Sequence, residues 1–247
     1  MTLRGLADLP ALILEVSGTP YRATYYSKDD FKAKVKAGLE FGRVPVLEVQ
    51  GTEISQSASI VRFLAEKTGL AGANGADRIR CDVLFETHKD LFVAHGVWGK
   101  SFNVEALRAG PTKDEPVLHF RETANRGDYT AFQKAAVALK TFEDILQASS
   151  SGWLVGANLT YVDLALWQKL TDLGQPRNLG PGWADKLGFP LLAKHVLRIN
   201  AIPELASFVY SGRRMPKIER RDGDYHYVKE EVALTDPTVP RLTNKEL

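Results

Sequence analysis

Apolar positions along the first seventy residues follow two different periods. Leu6, Leu9, Leu12, Ile13 and Val16 recur at helical spacing, and Gly18 supplies a stop. Asp8 and Glu15 bracket this stretch and Pro10 sits inside it, so the pattern predicts an amphipathic helix rather than a secretory signal. Tyr21 to Tyr26 reads as a short strand, and Asp29 to Leu39 as a Lys-rich helix or irregular segment. Val44 to Val49 reads as a strand, Gln50-Gly51 as a turn and Glu53 to Ser55 as the hairpin partner. Ile60, Val61, Phe63 and Leu64 build the next helix, which Gly69 closes. The predicted order is helix, strand, helix, hairpin, helix.

Beyond this point the period changes. Gly69, Gly72 and Gly75 recur at threes and superficially suggest a phosphate loop. They follow a helix rather than a strand and lack the lysine such a loop needs, so a linker is the better reading. From Asp77 the pattern is almost all helical. Ile79 to Val97, Tyr129 to Ala148, Leu191 to Asn200 and Pro203 to Ser211 are the long periodic segments. Thr160 and Asp163 fit a capping box, with the Thr160 hydroxyl accepting from the third helical amide and Asp163 reaching back to the cap. The reading divides the chain into residues 1–70, a linker at 71–77, a helical domain at 78–215 and an extended polar tail at 216–247.

Composition narrows the function. In 247 residues, 32 Lys and Arg against 30 Asp and Glu give a net charge of +2, too balanced for a nucleic-acid binder. A single cysteine, Cys81, excludes an intramolecular disulfide and cysteine-based zinc sites, and fits a reducing, cytoplasmic setting. No apolar run reaches the ~18 to 20 residues of a membrane span, so no membrane partner is expected. Motifs of serine hydrolases, zinc proteases and phosphate-loop enzymes are absent.

The informative chemistry lies around Pro45. A proline in a short strand removes a ladder donor, and a cis peptide at the start of an edge strand would account for it. It would leave the N–H and C=O of Val44 free to pair with an extended peptide. Gln56-Ser57 opens the following helix, whose amides and Ser57 hydroxyl suit a carboxylate. Together these groups suit a small anionic peptide.

Phe41 to Val49 (FGRVPVLEV) and Gln56 to Ala65 (QSASIVRFLA) resemble the cytosolic glutathione transferases, most closely their sigma-like branch with its mu, pi and alpha relatives. Gly156 with Leu159 to Asp163 resembles that family's helical-domain folding motif, and Arg4 to Asp8 its first-helix start. The resemblance implies an α/β thioredoxin-like N-terminal domain plus an all-α C-terminal domain, and a homodimer. It implies conjugation of glutathione, as co-substrate without a further cofactor, to small hydrophobic electrophiles. By position, Val44 and Pro45 would present the strand edge to the cysteinyl backbone, and Gln56 and Ser57 would hold the γ-glutamyl end. Lys36 would face the glycine carboxylate, Arg43 would line the tripeptide, and Asp90 would reach the γ-glutamyl amine across the dimer.

The resemblance also carries a departure. In the tyrosine-type branches the catalytic tyrosine ends a first strand that would precede Met1. A thiol of pKa ~8.5 needs a hydroxyl donor to become thiolate at neutral pH. Three readings follow: a longer natural chain, Thr2 as the hydroxyl, or a binding or assembly module of the same fold without efficient catalysis. Of the other features, Asp82, Glu86 and Asp90 recur at fours, but Lys89 interrupts them and no metal is expected. His88 and His95 read as ordinary partly buried histidines, Cys81 as structural, and Lys32 and Lys34 as solvated charges. Trp98 is a candidate wall of the electrophile pocket. Tyr225 and Tyr227 fall in the tail.

Overall fold

The computed structural model describes residues 5–89, 131–174, 182–215, 218–221 and 224–227. In chain order the elements are α1 (Asp8–Val16), β1 (Val46–Val49), β2 (Thr52–Ser55), α2 (Ser57–Thr68), α3 (Gly75–His88), α4 (Ala131–Ala148), α5 (Tyr161–Gly174), α6 (Pro190–Asn200), α7 (Pro203–Tyr210), β3 (Ile218–Arg221) and β4 (Asp224–Tyr227). They form two compact units. One holds the chain up to Ala71 with the segment that begins at Asn200; the other is built on Gly72–Ile199.

In the first unit, α1 packs against α2 and α7. Leu9, Leu12, Ile13, Ile60, Val61, Leu64, Leu205 and Phe208 are its buried apolar side chains. Gly18 and Gly69 end α1 and α2 with positive φ, which only glycine adopts without strain. At the second of these ends the Leu70 amide donates back to the Ala65 carbonyl at 2.8 Å. β1 and β2 pair antiparallel with Val46 opposite Ser55 and Val49 opposite Thr52. Gln50 and Gly51 carry φ of 51° and 80°, the left-handed pair that a tight hairpin turn requires. Tyr21 to Tyr26 forms no strand, contrary to the sequence expectation. A strand needs a lateral partner, and β1 and β2 are paired with one another in a two-stranded sheet. Residues 28–38 form short, irregular helical turns.

In the second unit, α3 begins two residues before the expected Asp77. Asn74 caps it by accepting the Asp77 amide at 3.0 Å, while Asp77 accepts from the Ala73 amide and the Asn74 side chain. Gly72, at φ +106°, approaches so closely that a Cβ there would lie 2.7 Å from the Asp77 Cβ. The glycine spacing therefore serves this helix start. Cys81, Leu84, Phe142, Leu164, Trp167 and Leu192 are among the side chains buried in this unit. Burial raises the Cys81 thiol to about 11, against a hydrogen bond to Thr160.

Asp163 organises the start of α5. Its carboxylate accepts from the Leu154 amide at 2.9 Å, the Thr160 amide at 2.8 Å and the Thr160 hydroxyl at 2.7 Å. The backward half of the capping box is present. The forward half is not: the threonine hydroxyl donates to the carboxylate, and the Asp163 amide instead donates to the Thr160 carbonyl at 3.1 Å. Burial raises the Asp163 carboxyl above its usual range, opposed by His195 and by these donors. The first amides of α6, at Leu191 and Leu192, donate to the two oxygens of Glu143 on α4, both at 2.9 Å. β3 and β4 pair as a two-stranded sheet, so part of the expected extended tail is ordered as strands. Among the described residues, no helix is long and apolar enough to cross a membrane.

Candidate functional site

The hairpin register gathers four of the sequence candidates. With Val46 opposite Ser55, the chain just before β1 runs beside the chain just after β2. Val44 and Pro45 are thus brought next to Gln56 and Ser57. The Val44–Pro45 peptide is cis, as the proline in the strand suggested. Val44 is exposed, and among the described residues no backbone hydrogen bond engages it. With no backbone partner, it leaves a free edge just before β1 of the kind that accepts a peptide by strand addition.

Gln56 lies at φ 68° and ψ 114°, a conformation that a non-glycine residue rarely holds. It turns the chain sharply from β2 into α2, so that Ser57 becomes the first helical residue. Its side chain makes no capping bond, so Gln56 supplies no side-chain acceptor to the first amides of α2. A carboxylate suits that position.

Lys36 reaches the same region from the irregular helical turns. Gly42, at φ +58°, lets the Lys36 side chain cross it: a Cβ there would lie 3.4 Å from both Cγ and Cε of the lysine. The lysine stem therefore passes beside the residue that precedes Arg43 and Val44. Lys36 and Arg43 are exposed, and among the described residues no carboxylate pairs with either. Lys34, by contrast, pairs with Asp30 at 2.7 Å. The site thus offers two cations, a helix start and a free backbone edge to one small ligand. Thr2, Asp90, His95 and Trp98 lie outside the described residues. Among the described residues, no group of acidic, histidine or cysteine side chains could hold a metal.

Two ion pairs on α1, in the same unit, have no counterpart among the sequence candidates. Arg214 donates to Asp8 through Nε at 3.0 Å and Nη2 at 2.7 Å, both side chains buried. Arg213 donates through both terminal nitrogens to Glu15 at 2.8 Å, and Glu15 also accepts from the Tyr21 hydroxyl. Burial, followed by Glu15, raises the Tyr21 pKa. The signal available was the adjacent pair of arginines against two acids near the ends of one apolar helix.

Comparison with known proteins identifies the family. Residues 120–212 match the family model described as the glutathione S-transferase C-terminal domain. Glutathione S-transferase 3 of Caenorhabditis elegans is 30% identical over 174 residues, covering 69% of this chain and 76% of the relative. Bovine glutathione S-transferase Mu 1 is 28% identical over 224 residues, covering 87% and 90%. The crystal structure of a monomeric glutathione S-transferase from the hookworm Necator americanus superposes with a TM-score of 0.66 at 25% identity, covering 84% of this chain and 92% of that one. A two-part architecture, thioredoxin-like and helical, is the class this fold defines. The chain belongs to the glutathione S-transferases.

Proposed function

We propose that the protein binds glutathione at the end of the β1–β2 hairpin and transfers its thiolate to small hydrophobic electrophiles. The observation that carries this reading is the register that sets the unpaired Val44 edge beside the uncapped start of α2. Val44 pairs with the cysteinyl backbone; Gln56, Ser57 and the first amides of α2 take the γ-glutamyl carboxylate. Lys36 faces the glycine carboxylate and Arg43 lines the tripeptide between them. Asp90 takes the γ-glutamyl ammonium, and Trp98 walls the electrophile. In the reaction the sulfur attacks the electrophilic carbon, a carbon–sulfur bond forms, and the leaving group departs with its electron pair. Fixing the tripeptide by both ends removes the orientational entropy of that encounter. A hydroxyl donor, for which Thr2 is the candidate, would hold the sulfur as thiolate.

We further propose that the protein works in the cytoplasm as a homodimer. Exposed Ile79 and Val83, one turn apart on α3, support the dimer.

Isothermal titration of the full chain with glutathione, alongside turnover of a chloronitroaromatic substrate, tests the main reading. Ser57→Ala removes a hydroxyl from a charged contact and should weaken binding by about tenfold or more. Unchanged affinity would count against the helix-start site. Binding without turnover would favour a non-catalytic module of the same fold.

A further inference from the structure

We propose that Arg214 is a positioning residue for the glutathione site, acting through Asp8 and α1; this rests on the binding reading above. Arg213 and Arg214 are consecutive, yet they grip opposite ends of one helix. Arg214 holds Asp8, the first residue of α1, and Arg213 holds Glu15, its penultimate residue. At the helical rise these two carboxylates sit about 10 Å apart along the axis. Two planar forks at that separation fix both the slide and the rotation of α1, which an apolar seam alone does not.

The two grips differ in kind. Arg213 is half exposed and shares Glu15 with Tyr21. Arg214 and Asp8 are only 3% and 6% exposed. A buried ion pair recovers its desolvation cost only in one good geometry, so it tolerates little displacement. α1 in turn packs on α2, with Leu9, Leu12 and Ile13 buried on one helix and Ile60, Val61 and Leu64 on the other. The start of α2 is Ser57, where the γ-glutamyl carboxylate is read to bind. Axial placement of α1 therefore sets where the carboxylate-binding amides lie relative to the Val44 edge. Asn200–Ile218 belongs to this unit by packing, and Arg214 ties that segment to α1.

The experiment uses the full chain. Arg214→Met should raise the glutathione Kd by about fivefold or more, because a shift well under an ångström at two anchoring points costs affinity at both. The KM for glutathione should rise in step, while the KM for the chloronitroaromatic substrate stays unchanged; a general loss of stability would not produce that split. The double variant Asp8→Leu/Arg214→Met removes the orphaned carboxylate but leaves α1 held without the buried fork, and should bind glutathione as weakly as the single variant. Circular dichroism establishes that each variant is folded at the assay temperature. Should Arg214→Met fail to fold, Arg214→Lys keeps the charge without the fork and carries the same expectation for Kd. A wild-type chain that binds glutathione, with a folded Arg214 variant that binds it equally well, overturns the inference. So does a double variant that binds glutathione as tightly as the wild-type chain. A wild-type chain that binds no glutathione overturns the functional reading itself.

Discussion

Single side chains in the helical unit carry a pH signature. His88 is buried, stacked 6.3 Å from the Phe85 ring and edge-on to Phe142 at 6.4 Å. Burial, and after it the charge of Lys169, push its pKa down to about 3 from 6.5. The unfolded chain therefore takes up this proton first as the pH falls. Stability is fully present above about pH 6.5 and declines toward pH 3, with a slope of up to about 1.4 kcal/mol per pH unit from this one group. Burial lowers His195 as well, so the two histidines act in the same direction. Urea melts between pH 7 and 4 measure the slope, and His88→Phe should flatten it. An unaltered slope in that variant would place the acid lability elsewhere. A second contrast concerns the neighbouring arginines. The contribution of the partly exposed Arg213–Glu15 pair should fade between low and high salt more than that of buried Arg214–Asp8. Melting temperatures of Arg213→Met and Arg214→Met at two ionic strengths test this.

At the level of elements, helices were the legible part of the sequence and their surroundings were not. The ends of α1 and α2 follow from Gly18 and Gly69, because a left-handed stop is a local property of one residue. The hairpin turn is likewise local to Gln50 and Gly51. Tyr21 to Tyr26 shows the opposite case: its alternation is real, but a ladder depends on a partner that alternation does not specify. The Asp163 cap lies between these cases. Spacing located the carboxylate, but not its bond to the Leu154 amide, which comes from nine residues upstream. That bond ties the loop before α5 to the helix itself. Asp163→Ala should leave three buried donors unsatisfied and cost about 3 kcal/mol or more, read as a fall in the melting temperature of the full chain. A loss under about 1 kcal/mol would show that the loop finds other acceptors.

For the whole molecule, the cis peptide at Val44-Pro45 and the helix start at Gln56-Ser57 were legible because each is written in contiguous residues. The brace from Arg214 to Asp8 spans 206 positions and has no period to betray it. Assembly is a property of the same scale. Ile79 and Val83 are 69% and 48% exposed on α3. A dimer that covers them should give about twice the 27.3 kDa chain mass in light scattering, and Ile79→Glu with Val83→Glu should halve it. A wild-type chain already at the single mass would instead resemble the monomeric hookworm relative. One further property follows from Cys81, the sole thiol of the chain, buried in α3 and held protonated by that burial. A protein that handles an activated sulfur all its life keeps its own sulfur out of the exchange. Native protein should be silent to an aromatic disulfide reagent and take up one equivalent only as the helical unit opens. The cysteine is then a built-in reporter of unfolding, one that counts open molecules without any label being added.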